Sequence, residues 1–197
     1  MADILVLFYS RNGMTEALAR EVCHGIDGVR GMAARLRTVP EVTADSETAA
    51  DAVPASGPPY AKPADIAECA GLVMGSPTHF GNMSAALKYY LDGTVSEWFK
   101  GVAAGKPAGV FCSTSSLHGG QESTLLSMML PLLHHGMLFV GLPYTEEELA
   151  TTTTGGTPYG ATHVSWNRKP DALSKEETKL ARALGRRVAE IAQKLAS

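Results

Sequence analysis

The sequence has few cysteines and little excess of charge, and both shortages exclude classes of protein. Its three cysteines, Cys23, Cys69 and Cys112, are scattered and form no C-x-x-C pair. This spacing supports neither a disulfide framework nor a zinc site, and it favours a cytoplasmic protein. The formal net charge is −3. The composition therefore gives no electrostatic basis for broad binding to nucleic acid or to a membrane surface.

Long apolar runs and the common nucleotide motifs are also missing. The most apolar stretch, residues 125–142, is interrupted by Ser127, Pro131 and two histidines, so it does not predict a membrane-spanning helix. The first apolar run is too short for a signal peptide and has no basic cluster before it. There is neither a Walker A loop nor a G-x-G-x-x-G fingerprint. Nothing resembles a nucleophile–base pair, and the scattered histidines do not have the spacing of metal ligands.

What the sequence does have is an alternation of strand-like and helix-like segments. The final helix candidate begins with a capping box formed by Ser174 and Glu177. Alternating segments predict an α/β fold, namely an open, doubly wound parallel sheet of five strands with helices on both faces. A (β/α)8 barrel would need about 250 residues, so we expect residues 1–197 to form a single domain. The strand candidates start at Ile4, Ala33, Gly71, Ala108 and Met137.

The sequence supports further predictions for two stretches and for the start of one helix. Residues 41–64 are rich in small and polar residues and are interpreted as a long insertion. Residues 151–167, with a run of threonines and glycines, are interpreted as a loop. Either Asn82 or Ser84 can cap the helix that follows the third strand, and capping is the favoured role for Asn82 itself.

The loop after the first strand suits an anion. It combines hydroxyl side chains and a glycine with the start of a helix, where backbone N–H groups and the helix dipole favour a phosphate. A plain strand-to-helix turn, in which Gly13 eases the backbone and Thr15 caps the helix, explains the same residues about as well. The loop consists of Ser10, Arg11, Asn12, Gly13, Met14 and Thr15.

Two more loops are expected at the same edge, because ligands of open α/β sheets bind beyond the carboxyl ends of the strands. The proline turn after the third strand suits a planar heterocycle, beside which Phe80 could pack. Alternatively, Phe80 fills the core. A polar loop follows the fourth strand, and the loops together suit a cofactor that carries its own reactivity. Their residues are Pro77, Thr78, His79, Phe80, Gly81 and Asn82, then Ser113, Thr114, Ser115, Ser116, Leu117, His118 and Gly119.

Five sequence blocks, in order across nearly the whole chain, resemble WrbA-type NAD(P)H:quinone oxidoreductases of the flavodoxin superfamily. The resemblance implies a flavodoxin-like sheet of order 2-1-3-4-5, a bound FMN, NAD(P)H as electron donor, a quinone substrate and a homotetramer. The blocks are residues 10–15, 76–83, 113–122, 134–137 and 155–161.

The resemblance also implies roles for single residues. Residues 10–15 hold the FMN phosphate, and the loops after the third and fourth strands meet its ring and ribityl chain. His134 lies over the flavin pocket as the candidate catalytic residue. Trp98 walls the substrate side, partly from a neighbouring subunit. On composition alone, a lone tryptophan more often belongs to the core, and His135 is interpreted as a partner of the helix dipole. The implied reaction is a two-electron, ping-pong reduction of quinones.

Two other functions remain open at this point. A one-electron flavodoxin carrier has the same fold, but it usually presents a strongly acidic surface to its partner, and a net charge of −3 argues against that. A regulatory binding partner of a transcriptional repressor is the second alternative. No basic patch or recognition helix supports direct contact with DNA.

Overall fold

The computed structural model describes residues 1–43, 53–165 and 172–196. Strands and helices alternate along the chain as expected. Their bounds are β1 (Ala2–Phe8), α1 (Met14–Asp27), β2 (Met32–Thr38), α2 (Pro63–Glu68), β3 (Gly71–Pro77), α3 (Ala85–Asp92), α4 (Val95–Phe99), β4 (Pro107–Thr114), α5 (Gln121–His134), β5 (Leu138–Phe139), α6 (Glu148–Thr151), β6 (Ala161–Val164) and α7 (Lys175–Leu195).

The strands form one parallel sheet in the order β2-β1-β3-β4-β5, which confirms the predicted fold class and order. The outer edge differs from the prediction. Only Leu138 and Phe139 pair with β4, rather than the expected run from 137 to 142. The rest of that edge pairs with β6, from Phe111 to Thr114. The N–H of Val140 still donates to the carbonyl of Ala108 in β4, but beyond Val140 the chain leaves β4, and the N–H of Leu142 donates to the carbonyl of Pro158.

Each face of the sheet is covered by an apolar layer. In β1, Ile4, Val6 and Phe8 pack on the side of α1 and α7. The alternate residues, Leu5 and Leu7, pack on the side of α3 and α5. Because successive side chains of a strand point to opposite faces, a strand covered on both faces is apolar throughout. This burial is the physical reason for the continuous apolar run that predicted β1.

The predicted helix starts are correct in one case and need correction in another. Ser174 and Glu177 form the expected capping box of α7. The N-cap of α3 is Ser84, so the capping role favoured for Asn82 is wrong. Asn82 lies two residues before the cap, where its Oδ1 accepts a hydrogen bond from the N–H of Met83.

The two stretches predicted as loops contain more regular structure than expected. Of the expected insertion at 41–64, residues 44–52 lie outside the described residues. Its described end is tied down, because Tyr60 forms a parallel bridge with Thr38 and α2 begins at Pro63. The stretch 151–167 contains β6, and its last two residues, 166 and 167, lie outside the described part of the chain. Within the described ranges, no helix is long and apolar enough to cross a membrane.

Candidate functional site

A cavity of about 340 Å³, here called the strand-edge cavity, opens where β1, β3 and β4 end. Parallel strands bring their carboxyl ends to one edge of the sheet, so three loops that are distant in sequence meet there. The cavity is lined by Ser10, Arg11, Asn12, Met14, Thr15, Pro77, Thr78, His79, Ser113, Thr114, Ser115 and Ser165.

The first loop has the features of an anion site. Gly13, at φ 85°, is the N-cap of α1 and supplies no side-chain cap. The first N–H groups of a helix have no partner within the helix, and the dipole favours negative charge there. The plain-turn interpretation expected Thr15 to cap the helix, but Thr15 does not do so. Its hydroxyl is buried and lies 2.8 Å from Ser113 Oγ.

Ser10 carries the most specific signal of this loop. Its Oγ is buried and finds no hydrogen-bond partner among the described residues. A buried hydroxyl without a partner is costly, by about 1–3 kcal/mol, and few such groups occur in native proteins. Because Ser10 lines the cavity beside the start of α1, a phosphate placed there would satisfy this hydroxyl. The donor set therefore fits the phosphate of FMN.

The proline turn contributes Pro77, Thr78 and His79 to the cavity lining. Phe80 has φ 54° and a fully exposed ring, so the alternative that it fills the core is wrong. A bulky residue in this backbone region costs about 1–3 kcal/mol. Gly81, Asn82 and Phe80 do not line the cavity within one chain.

The loop after β4 approaches the cavity through its first part only. Ser113, Thr114 and Ser115 line the cavity, whereas the residues from 116 to 119 do not. Two hydrogen bonds to Ser116 O fold the loop back, from Thr114 Oγ1 at 2.9 Å and from the N–H of Gly119 at 3.1 Å. The loop therefore has a defined shape before any ligand is considered.

Within one chain, Trp98 and His134 are not brought to the strand-edge cavity. They lie together at the opposite end of the strands. There Trp98 Nε1 donates a 2.6 Å hydrogen bond to the carbonyl of His134. The helix α5 begins beside the cavity at Gln121 and ends at His134, about 20 Å away at 1.5 Å per residue. Both residues line a separate groove of about 340 Å³ between α3, α4 and α5.

His135 lies in the same groove, and its environment disfavours the expected charged role at the helix end. Burial lowers its pKa, and this effect outweighs the attraction of Glu97. Its Nε2 lies 3.1 Å from the hydroxyl of Thr94, which itself donates to the carbonyl of Leu91. The Thr94 oxygen must therefore accept from Nε2–H, and a neutral ring satisfies this contact.

The sequence missed Ser165 as a lining residue. It follows β6, and its N–H donates to the carbonyl of Thr114, which brings it to the cavity. Since β6 itself was not recognised in the threonine- and glycine-rich stretch, no sequence signal pointed to this position. In the described parts of the chain, no group of three or more His, Cys, Asp or Glu side chains is placed to hold a metal ion.

Comparisons with known proteins show the family and the fold of the chain. A family model described as NADPH-dependent FMN reductase matches residues 3–146. A protein of Solidesulfovibrio magneticus named NAD(P)H dehydrogenase (quinone) is 40% identical over 98% of this chain and 98% of its own length. A protein of the same name from Chromohalobacter salexigens is 40% identical over the full length of both chains.

Among solved structures, the fold is similar to that of a flavodoxin, WrbA-like protein from Agrobacterium tumefaciens. The TM-score is 0.70 at 22% sequence identity, over 98% of this chain and 99% of that one. A flavodoxin from the domain Archaea gives a TM-score of 0.62 at 15% identity, over 97% of this chain and 99% of that one. At such identities the likeness shows the flavodoxin-like fold.

Proposed function

The chain belongs to the NADPH-dependent FMN reductase family, and we propose that within it the chain works as an FMN-dependent NAD(P)H:quinone oxidoreductase. The observation that carries the proposal is the buried, unpartnered hydroxyl of Ser10 beside a helix N-terminus, in a cavity at the carboxyl edge of the sheet. The two relatives named NAD(P)H dehydrogenase (quinone), which match over nearly their whole length, support the donor and the substrate class.

The chain's own residues divide the work of holding FMN. Ser10 to Thr15 bind the phosphate through hydroxyls, N–H groups and the guanidinium of Arg11, which is exposed at the rim of the cavity. The segments 77–79 and 113–115 flank the remaining cavity and orient the ring. When bound there, FMN supplies two-electron redox chemistry that no side chain offers.

The function is tested on purified protein. After gel filtration the protein should keep the visible absorbance of a flavin, and it should oxidise NADH or NADPH rapidly only when a benzoquinone is present. A colourless protein that takes up no added FMN would refute the proposal. Bound FMN without any oxidation of NADH or NADPH would instead support the one-electron carrier, which receives its electrons from another protein.

Replacing Ser10 with alanine should lower the affinity for FMN without lowering the stability of the FMN-free protein. FMN affinity should fall by about 1–3 kcal/mol, because the phosphate loses a hydroxyl partner. The stability of the FMN-free protein should stay unchanged or rise, because a buried unpaired group is removed. Titration of flavin fluorescence and urea unfolding measure the two quantities.

The hydroxyl of Thr15 supplies a matched pair for this test. Thr15→Val should weaken FMN by a similar amount, whereas Thr15→Ser keeps the hydroxyl beside Ser113 and should bind FMN nearly as the unmodified protein does. If Ser10→Ala and Thr15→Val both bind FMN with unchanged affinity, this loop is not the phosphate site.

We expect ping-pong kinetics. Both NAD(P)H and the quinone must reach the same flavin for direct hydride transfer, and the three loops enclose one strand-edge cavity. The donor product should therefore leave before the quinone enters. Initial rates at several fixed quinone concentrations should give parallel double-reciprocal lines, whereas intersecting lines would indicate a ternary complex.

We further propose that the chain assembles, as a homotetramer, through the layer of α3, α4 and α5. This layer exposes seven large apolar side chains, and large exposed apolar surfaces mark sites of protein–protein contact. An assembly would also bring Trp98 and His134 of a neighbouring copy to the strand-edge cavity, where they serve as the wall and the candidate catalytic residue of the quinone site. The exposed side chains are Tyr89, Val95, Trp98, Phe99, Leu126, Leu130 and Leu133.

Assembly is tested by the mass in solution. Leu130→Lys should lower the mass of the assembly in solution, because it places a charge in the proposed interface, where Leu130 is 62% exposed in the single chain. Leu195→Lys is the matched control, since Leu195 is 55% exposed at the end of α7 on the other side of the sheet. A stable, fully active monomer would refute the assembly.

We also propose a cytoplasmic location, on the basis of the scattered free cysteines.

A further inference from the structure

The first two turns of α5 carry three polar side chains that each bond to a loop beside the strand-edge cavity. Ser127 Oγ donates to Asn82 Oδ1 at 3.0 Å, and Thr124 Oγ1 donates to Thr78 Oγ1 at 3.2 Å. Both of these contacts hold the proline turn. The third side chain, Gln121, reaches the other loop. At a spacing of three residues, all three side chains lie on one side of the helix.

Gln121 is the middle member of a buried hydrogen-bond chain. The N–H of Gly156 donates to Thr162 Oγ1 at 2.7 Å, and the Thr162 hydroxyl donates to Gln121 Oε1. Gln121 Nε2 then donates to the carbonyl of Leu117 at 2.8 Å. The chain thus connects the backbone at 156 with the backbone of the loop after β4.

The two ends of this chain determine its direction. The N–H of Gly156 can only donate, and the carbonyl of Leu117 can only accept. The amide of Gln121 therefore has one favourable orientation, since a flipped amide would place its oxygen against the Leu117 carbonyl. Gln121 is 4% exposed and Thr162 is fully buried, so water cannot readily replace either partner and a broken link would leave unsatisfied groups.

The link also determines which way the next peptide group faces. In a planar trans peptide, the carbonyl of one residue and the N–H of the next point in opposite directions. Because the Leu117 carbonyl points to the buried amide of Gln121, the N–H of His118 points away from it. The link therefore fixes the orientation of the Leu117–His118 peptide within the loop after β4.

We propose that Gln121 is a positioning residue for the cofactor: by holding the Leu117–His118 peptide in one orientation, it fixes the loop after β4, whose residues Ser113, Thr114 and Ser115 line the strand-edge cavity. This inference rests on the proposed function, because it presumes that FMN occupies the strand-edge cavity. Thr162 acts one step further back by orienting the amide of Gln121.

The test uses the full chain and isosteric variants. Gln121→Glu keeps an acceptor for Thr162 but cannot donate to Leu117. Thr162→Val removes the donor to Gln121, whereas Thr162→Ser retains it and is the conservative rescue. Glu122→Gln, at an exposed neighbouring position, is the control for changes in α5 itself.

Three readouts separate positioning from a merely structural role. In FMN-free protein, amide hydrogen exchange at residues 115–119 should become faster in Gln121→Glu and Thr162→Val. The Kd for FMN should rise about tenfold in these two variants, and the midpoint potential of bound FMN should shift. Thr162→Ser and Glu122→Gln should resemble the unmodified protein in all three measurements.

The possible failures are distinguishable. If the unmodified protein binds FMN and both variants keep its Kd, midpoint potential and loop exchange, the positioning role is wrong. A lowered melting temperature with unchanged FMN affinity and potential would also overturn it, since Gln121 would then be structural only. If the unmodified protein binds no FMN, the proposed function fails and this inference fails with it. Should Gln121→Glu not fold, the Thr162 pair decides alone.

Discussion

Glu177→Ala is expected to lower the free energy of unfolding by about 3–5 kcal/mol, because several buried donors lose their acceptor at about 1–3 kcal/mol each. Glu177 and His163 are each 1% exposed. The Glu177 carboxylate connects three segments that are separate in sequence. It accepts hydrogen bonds from Thr154 Oγ1 (2.6 Å), Gly155 N (3.0 Å), Val164 N (3.2 Å), Ser174 N (2.8 Å) and His163 Nδ1 (2.8 Å).

The pH dependence of stability follows from the same contacts. Burial alone would raise the pKa of Glu177, but the hydrogen bonds from His163, Thr154 and the Ser174 backbone outweigh it and lower the pKa to about 2 from the ordinary 4.5. A lowered folded-state pKa stabilises the protein above pH 4.5, and this contribution is lost as the pH falls toward 2. The stability difference between the unmodified protein and Glu177→Ala should therefore shrink over this acid range.

Equilibrium urea unfolding at neutral and acid pH measures both effects. Glu190→Ala is the matched control, because Glu190 is exposed on the same helix, and it should change stability by no more than about 0.5 kcal/mol. A loss below 1 kcal/mol for Glu177→Ala at neutral pH would contradict the predicted role of this carboxylate.

Gly185→Ala should destabilise the protein by about 3 kcal/mol, although alanine is favoured over glycine in helices by about 1 kcal/mol. The reason lies in the crossing of α1 and α7. A Cβ on Gly185 would overlap the carbonyl oxygen of Val22, and a Cβ on Gly25 would overlap that of Arg182. The clash is with backbone, so only a separation of the two helices can relieve it.

The direction of the stability change distinguishes the two effects: helix propensity alone would make Gly185→Ala stabilising, whereas the backbone clash makes it destabilising. Gly28→Ala is the control, because Gly28 ends α1 with φ −71° and a Cβ there would make only ordinary contacts. It should be neutral or slightly stabilising in thermal and urea unfolding. If Gly185→Ala is also neutral or stabilising, the close approach of the two helices is not required for stability.

The sequence determined the features that consecutive residues encode. Apolar runs predicted the central strands, because both faces of the sheet are buried. The capping box of Ser174 and Glu177 predicted the start of α7. The residues after β1, β3 and β4 were expected at one edge, and the first residues of each of these segments do line the cavity. The resemblance to a family supplied the sheet order.

Only the tertiary structure decided what depends on residues far apart in the chain. The strand β6 carries too few residues for a local signal and forms because the edge of β4 is open to it. The orientation of Gln121 depends on Thr162, 41 residues away. The length and direction of α5 place His134 at the opposite end of the strands from the strand-edge cavity. These features follow from long-range contacts, and a pattern of neighbouring residues does not contain them.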